Sequence, residues 1–295
     1  MIARSFLFAP GNREDLLDKV FAAGADAVVL DLEDAVPAAH KARARELVAA
    51  AIERRAGQEG PRAFVRINAL DTDLWKADVS ASVRPGVTGL RVAKAESPAD
   101  VANLDQWVSR MEGERGMTIG AIELTLAIES AVGIERATEL AASSPRVKNL
   151  CFGAADFCAD VGVDPSHSGN ETLFAQSRLV VSSRVAGLDP PIASVHTSLD
   201  DERGLRETSE AARRLGYFGR SCVHPRQVAI VNAVFTPGPD AIERARRLIH
   251  TYESAAAKGI GATTAAGGEF VDPAVLRRAR AVLALAARFV QTESA

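Results

Sequence analysis

A small set of charged residues in this sequence sits where apolar runs stop. DLED (Asp31–Asp34), RIN (Arg66–Asn68), KAE (Lys94–Glu96), IES (Ile128–Ser130), GAADF (Gly153–Phe157) and VHP (Val223–Pro225) each follow a short β-rich stretch, always at its C-terminal end. Glu129 and Asp156 supply hard oxygen ligands, the donor type that suits Mg²⁺ when the ion keeps waters and open positions for a substrate. An ion held so incompletely can chelate a substrate carboxylate and an adjacent oxygen, polarising a carbonyl. Arg66 adds a guanidinium that is no base but can stabilise negative charge on an enolate oxygen developing from a thioester. Together these residue types predict Mg²⁺-dependent carbonyl chemistry. Any one of the charges could instead be solvated or cap a helix, and Asp156 taken alone reads as an N-cap. Six such coincidences on one rim favour function for the set.

Placing these residues on one rim needs a particular scaffold. Short β-rich runs alternate with longer amphipathic segments, the pattern of parallel strands joined by crossover helices. The strand candidates are Ser5–Ala9, Ala27–Leu32, Ala63–Ile67, Gly89–Ala93, Ala121–Ile128, Asn149–Phe152, Ile192–His196 and Ser221–Val223. Between them, Glu14–Ala23, Ala38–Arg54, Glu171–Ala186 and Asp201–Leu215 carry apolar residues at three- and four-residue spacing, as helices do. Eight such units predict an α/β fold, a (β/α)₈ TIM barrel, whose chemistry gathers at the C-terminal mouth. A doubly wound open sheet is the alternative, but the first turn, APGNRED, has no glycine-rich cofactor fingerprint. Residues 1–238 are expected to form the barrel, and residues 239–295 a C-terminal helical extension with a lid. That extension comprises a helix around Asp240–Ala256, a glycine-rich mobile loop at Gly259–Gly268 and a last amphipathic helix at Pro273–Gln291.

Composition excludes several other classes. With 295 residues, 47% hydrophobic content and a formal net charge of −3, the chain can bury a barrel-sized core and presents no basic stripe for nucleic acid. No window is apolar enough to span a bilayer, and the opening MIARSFLFAPGN lacks a long apolar region, so a cytoplasmic location is expected. Cys151, Cys158 and Cys222 are too sparse for a disulfide framework and show no CxxC spacing. The histidines include no HExxH. Ser221 and His224 lie close together, but there is no GxSxG elbow to present a nucleophile, and His224 reads as packing or a substrate contact. Lys94 reads as an electrostatic group rather than a Schiff-base former.

The same residues carry a family resemblance over nearly the whole chain. RSFLFAPGNRED, DAVVLDLEDAVP, FVRIN, AKAES, AIESAVGI, GAADFCADVG, GRSCVHPRQV and EFVDPAVLRRAR occur in that order, and they resemble the citrate lyase beta-subunit and HpcH/HpaI aldolase families. The resemblance implies a Mg²⁺-dependent barrel, commonly a trimer, that cleaves or condenses citryl-, malyl- or citramalyl-CoA. It implies that Arg66 contacts the acyl substrate, that Glu129 binds substrate and Mg²⁺, and that Asp156 binds Mg²⁺. Asp272 of EFVDP resembles an acid/base that relatives bring over a neighbouring subunit's site on a lid, although Asp followed by Pro273 is also an ordinary helix start. The sequence departs from the family pattern at Ala9 and Ala93, at Ala193 where many relatives have Asp, at Gln176 where Arg is frequent, and around the lid segment GATTAAGGEFVD. The expected function is Claisen-type carbon–carbon cleavage or condensation by a homo-oligomer. A thioesterase using the same site, a CoA-independent oxo-acid aldolase and a non-catalytic acyl-CoA binder are the alternatives.

Overall fold

The computed structural model describes residues 2–166, 169–265 and 267–289, and the chain divides into two compact units, Met1–Asn232 and Ala233–Ala295. The first unit contains seven parallel strands: β1 (Ser5–Pro10), β2 (Ala27–Asp31), β3 (Arg62–Ile67), β4 (Gly89–Val92), β5 (Glu123–Ile128), β6 (Val147–Phe152) and β7 (Arg220–Cys222). They form one curled sheet in the order β6-β5-β4-β3-β2-β1-β7. The crossovers carry α1 (Glu14–Lys19), α2 (Lys41–Arg55), α3 (Trp75–Ser82), α4 (Pro98–Glu114), α5 (Ala131–Glu135), α6 (Ala137–Ala142), α7 (Ala154–Val161), α8 (Leu173–Val185) and α9 (Glu202–Leu215). The unit boundary falls within α10 (Arg226–Phe235).

Strand alternation divides the apolar residues between two faces. Phe6, Ala27, Val29, Phe64, Ala127, Cys151 and Ile192 pack together with Phe8 on the inner face of the curl. Leu7, Val28, Leu30, Val65, Leu90 and Leu124, on the opposite face of their strands, are also fully buried. Both faces are therefore covered, as parallel sheets require.

Seven of the eight expected strands are present, each within two residues of its expected ends. The exception is Ile192–His196, where only Ile192 and Ala193 pair, as isolated bridges to Cys151 and Arg220. Ile192 N donates to Leu150 O at 2.9 Å and Ala193 N to Gly219 O at 3.0 Å, so this short segment links the two edge strands. Pro190 and Pro191 precede it with no N–H to extend the ladder. Beyond it, the Ser194 hydroxyl accepts from Ala154 N at 3.1 Å.

The second unit packs α11 (Pro239–Ala256) against α12 (Pro273–Phe289). Ala245, Leu248 and Ala279 are buried together with Val271 and flanked by Tyr252, Val275 and Val282. The apolar face of the last helix is thus used within its own unit. Gln291, the expected end of that helix, lies outside the described residues. The Gly259–Gly268 segment, expected to be a mobile loop, contributes Thr263–Thr264 to an antiparallel pair with Phe270–Val271. The β-branched threonines favour that extended pairing despite the surrounding glycines.

Candidate active site

Parallel register sets the first half of the site. Asp31 ends β2 directly opposite Arg66 on β3, and both point into the curl. Asp31 is fully buried, and its two carboxylate oxygens accept from Arg66 Nε at 2.7 Å and Nη2 at 2.6 Å. This is the fork geometry in which a guanidinium is held most rigidly. The remaining Arg66 nitrogen, Nη1, makes an ion-pair contact of 2.9 Å with Glu33 Oε2. The guanidinium lies 5.1 Å from the centre of the Phe8 ring. Burial works against the Arg66 charge, but the Asp31 hydrogen bonds and the charges of Asp31, Glu33 and Asp34 outweigh it and raise the pKa above the ordinary arginine value.

Backbone amides complete the DLED turn, because Asp31 also accepts from Glu33 N at 2.9 Å and Ala35 N at 3.2 Å. Burial pushes the Glu33 carboxyl up, against the opposing influence of Arg66 and Lys94. Asp34 is held down despite its own burial, by the hydrogen bond with Glu33 and by the charges of Lys94 and Arg66. Lys94 Nζ reaches Glu33 Oε1 at 2.8 Å and Asp34 Oδ2 at 3.5 Å. Burial lowers the ammonium's pKa, but Glu33 reverses this and leaves it above the ordinary lysine value. A Schiff-base lysine needs the opposite shift, and the ion pairs with Glu33 and Asp34 keep this ammonium charged.

Lys94 has a second task. Among the described residues it is the one non-glycine with positive φ, at 48°, a conformation costing about 1–2 kcal/mol. The bend directs Lys94 N onto Glu129 Oε1 at 2.7 Å. Glu129 follows β5, and its other oxygen lies against Gly153 so closely that a Cβ there would come within 2.1 Å of Oε2. Only glycine fits beside this carboxylate. Burial raises the Glu129 pKa to about 6, opposed by the Lys94 amide and reinforced by the charges of Asp156 and Glu33.

Asp156 stands in the first turn of α7 and is half-buried. It is not the N-cap: that position is Gly153, so the capping alternative for Asp156 is corrected. No hydrogen bond or ion pair of its side chain is found among the described residues. The neighbouring motif behaves differently, since Ser130 caps α5 by accepting from Gly133 N at 3.1 Å.

Arg66 near the end of β3, Glu129 after β5 and Asp156 after β6 thus stand at the same strand ends, and the charges of Arg66 and Asp156 both act on Glu129. Asp272 belongs to the second unit, where its Oδ1 accepts from Ala274 N and Val275 N, both at 2.9 Å. In that position it caps α12, with Pro273 as the first helical residue. His224 Nδ1 accepts from Arg226 N at 3.2 Å and serves a local turn.

Sequence reasoning missed Lys41. Its ammonium donates to Leu32 O, Glu33 O and Asn68 Oδ1, each at 2.8 Å, and so ties the DLED turn to RIN. It also missed Asp78, which is fully buried and takes Asn68 Nδ2 at 2.6 Å and Arg45 Nε at 2.7 Å. Both lie on helices, where nothing in the local sequence distinguishes them from surface charges.

The strand-end site on a curled parallel sheet defines a class, the α/β enzymes that work at the C-terminal rim. The family model "HpcH/HpaI aldolase/citrate lyase" matches residues 4–225. A citrate lyase subunit beta of Leuconostoc mesenteroides is 34% identical, covering 97% of this chain and 93% of the relative. An L-malyl-CoA/beta-methylmalyl-CoA lyase of Cereibacter sphaeroides is also 34% identical, covering 95% and 93%. Among solved structures, protein CitE of Mycobacterium tuberculosis in complex with magnesium, acetoacetate and coenzyme A aligns with a TM-score of 0.78 at 28% identity, covering 96% of this chain and 97% of that one. A citrate lyase beta subunit of the same organism complexed with oxaloacetate and magnesium aligns with a TM-score of 0.67 at 28% identity, covering 79% and 97%. The chain belongs to the HpcH/HpaI aldolase/citrate lyase family. No helix among its described residues is long and apolar enough to cross a membrane.

Proposed function

We propose that this protein is a Mg²⁺-dependent carbon–carbon lyase acting on a β-hydroxyacyl-CoA of the citryl-, malyl- or citramalyl-CoA type. The observation that carries this reading is the division of the rim. A guanidinium locked by Asp31 and Glu33 faces two carboxylates, Glu129 and Asp156, that have no cation of their own. The family relatives whose names include citrate lyase and malyl-CoA lyase support the same reaction class.

The residues fit a divalent ion. Glu129 is buried with its pKa raised by its own desolvation and by Asp156, the state that a bound cation relieves. Gly153 leaves the space in which its oxygen sits. Glu129 and Asp156 would hold Mg²⁺, which supplies Lewis-acid polarisation of the substrate's oxygen atoms when bound. Arg66 neutralises the thioester enolate oxygen as the electron pair of the breaking carbon–carbon bond moves toward the acyl-CoA part. The substrate's hydroxyl proton leaves as that carbon becomes a carbonyl, and a proton is delivered to the enolate carbon. Asp272 is proposed for this exchange, supplied by a neighbouring subunit in a homo-oligomer, probed below.

The remaining architecture follows from this reading. Ile192 and Ala193 stand for the eighth stave of a closed (β/α)₈ barrel spanning residues 1–238, with residues 239–295 as helical extension and lid. A trimeric, cytoplasmic protein is part of the proposal. Phe174, Val181 and Val185, exposed along α8 at seven- and four-residue spacing, supply an apolar stripe suited to subunit contact. The test is a coupled assay with Mg²⁺ across citryl-, malyl- and citramalyl-CoA, recording acetyl-CoA separately from free CoA. Release of a shorter acyl-CoA with an oxo-acid is the expected result. Free CoA alone would identify a thioesterase instead.

A further inference from the structure

β7 places a cation where no carboxylate meets it. Alternation along the strand turns Ser221 inward, where its hydroxyl lies 3.0 Å from Arg91 Nη1, and so turns Arg220 to the outer face. Arg220 is 6% exposed, and its Nε has no hydrogen-bond partner. Of the other buried guanidiniums, Arg4 pairs with Asp26 and Arg146 with Glu112, while Arg91 meets no acid but hydrogen-bonds Ser221 Oγ. Among the described residues no Asp or Glu pairs with Arg220. Burial draws its pKa down to about 10, which still leaves it charged at neutral pH.

Arg220 opens on a cavity of about 670 Å³ lying against the end of β6, the Ala193–Thr197 segment, α8 and α9. Its lining carboxylates already have donors: Glu171 accepts from Ser166 N at 2.7 Å, and Glu207 from Arg203 Nε at 2.7 Å. His196, also on the wall, has a buried Nε2 with no hydrogen bond, 3.3 Å from Asp201 Oδ2. The cavity therefore presents a buried guanidinium with no carboxylate partner. A buried charge without a counterion is costly, and an anion of suitable size removes that cost.

Ala193 explains why the charge is free. It is the bridge partner of Arg220, so the two side chains leave neighbouring backbones about 4.8 Å apart on the same face. A methyl group stands where a carboxylate could pair with the guanidinium. We propose that this cavity is an anion site separate from the catalytic rim, in which Arg220 binds the carboxylate or phosphate group of a small molecule in place of the side-chain carboxylate that residue 193 lacks.

The test is calorimetric titration of the full-length protein with sodium phosphate and, separately, sodium acetate, at an ionic strength fixed by chloride. Wild type, Ala193→Asp and Arg220→Gln are compared. Any anion taken up at Arg66 is common to all three proteins, so the differences isolate Arg220. Wild type should bind one of the probes at a site that Ala193→Asp weakens by about tenfold or more, because the new carboxylate competes for the guanidinium. Ala193→Asp should also raise Tm, which guards against mistaking misfolding for lost binding, and Arg220→Gln should lose the same site. Preference for phosphate would mark a phosphorylated ligand, and preference for acetate a carboxylic acid. Absence of this site in wild type, or unchanged binding in Ala193→Asp, would overturn the proposal.

Discussion

The two halves of the rim are built on opposite electrostatic terms. Around Arg66, each positive group has its negative partner: Asp31 and Glu33 hold the guanidinium, and Glu33 and Asp34 hold Lys94. Around Glu129 the charges of Asp156 and Glu33 add to burial in raising its pKa, and a single backbone amide, Lys94 N, is its hydrogen-bond donor among the described residues. The first half has nothing left to gain from a cation and is rigid in advance of the reaction. The second half carries a buried carboxylate whose raised pKa a bound cation or a proton would relieve. Fixed positive charge suits a transient oxyanion, whereas an unbalanced carboxylate pair suits an ion that must also accept substrate oxygens.

This contrast can be broken from either side. The largest effect is expected on the carboxylate side: Glu129→Ala or Asp156→Ala should lower turnover by about 10³-fold or more through loss of the metal. Circular dichroism should show a folded protein in both cases, since both are proposed as rim ligands rather than core residues. Turnover undiminished in both would contradict the assignment. On the guanidinium side, Arg66→Lys keeps the charge but loses the fork. It should reduce kcat by about 10²-fold, in the range for losing one oxyanion donor, with Mg²⁺ affinity preserved. A parallel loss of Mg²⁺ binding would mean that the two halves are not separate.

Smaller changes sharpen the comparison. Gly153→Ala puts a Cβ 2.1 Å from Glu129 Oε2, so Mg²⁺ affinity should fall by about tenfold while Arg66 keeps its partners. Metal titration followed by calorimetry reads this directly. The smallest stability effect is expected from Asp272→Asn, because Asn caps a helix about as well as Asp and Tm should move by no more than a degree or two. Its effect on turnover separates cap from acid/base. Mixing inactive Asp272→Asn with inactive Glu129→Ala protein, with subunit exchange verified, should restore part of the activity if the residues meet across subunits. Full activity of Asp272→Asn alone would leave it a cap and nothing more.

What the sequence revealed follows the same division. Strand ends were legible because the switch from β-branched runs to charge is abrupt, as in AVVLDLED and FVRIN. The partnerships of those charges were not. Asp31 pairs with Arg66 through register between strands 35 residues apart, and no local pattern encodes register. Lys41 and Asp78 were invisible for the same reason. The segment Ile192–His196 looked like a strand because its composition is apolar, but its pairing stops at Ala193, after which the Ser194 hydroxyl accepts from Ala154 N. The glycine-rich Gly259–Gly268 segment looked structureless, yet Thr263–Thr264 found a partner in Phe270–Val271.

In the proposed function the unbalanced carboxylates, and not the balanced cluster, hold the metal. This assignment is tested most directly by calorimetric titration of Mg²⁺ into wild type, Glu129→Gln and Arg66→Met proteins. One ion per chain is expected in wild type and Arg66→Met, and no measurable binding in Glu129→Gln. Binding that survives in Glu129→Gln, or disappears in Arg66→Met with the fold intact, would contradict it.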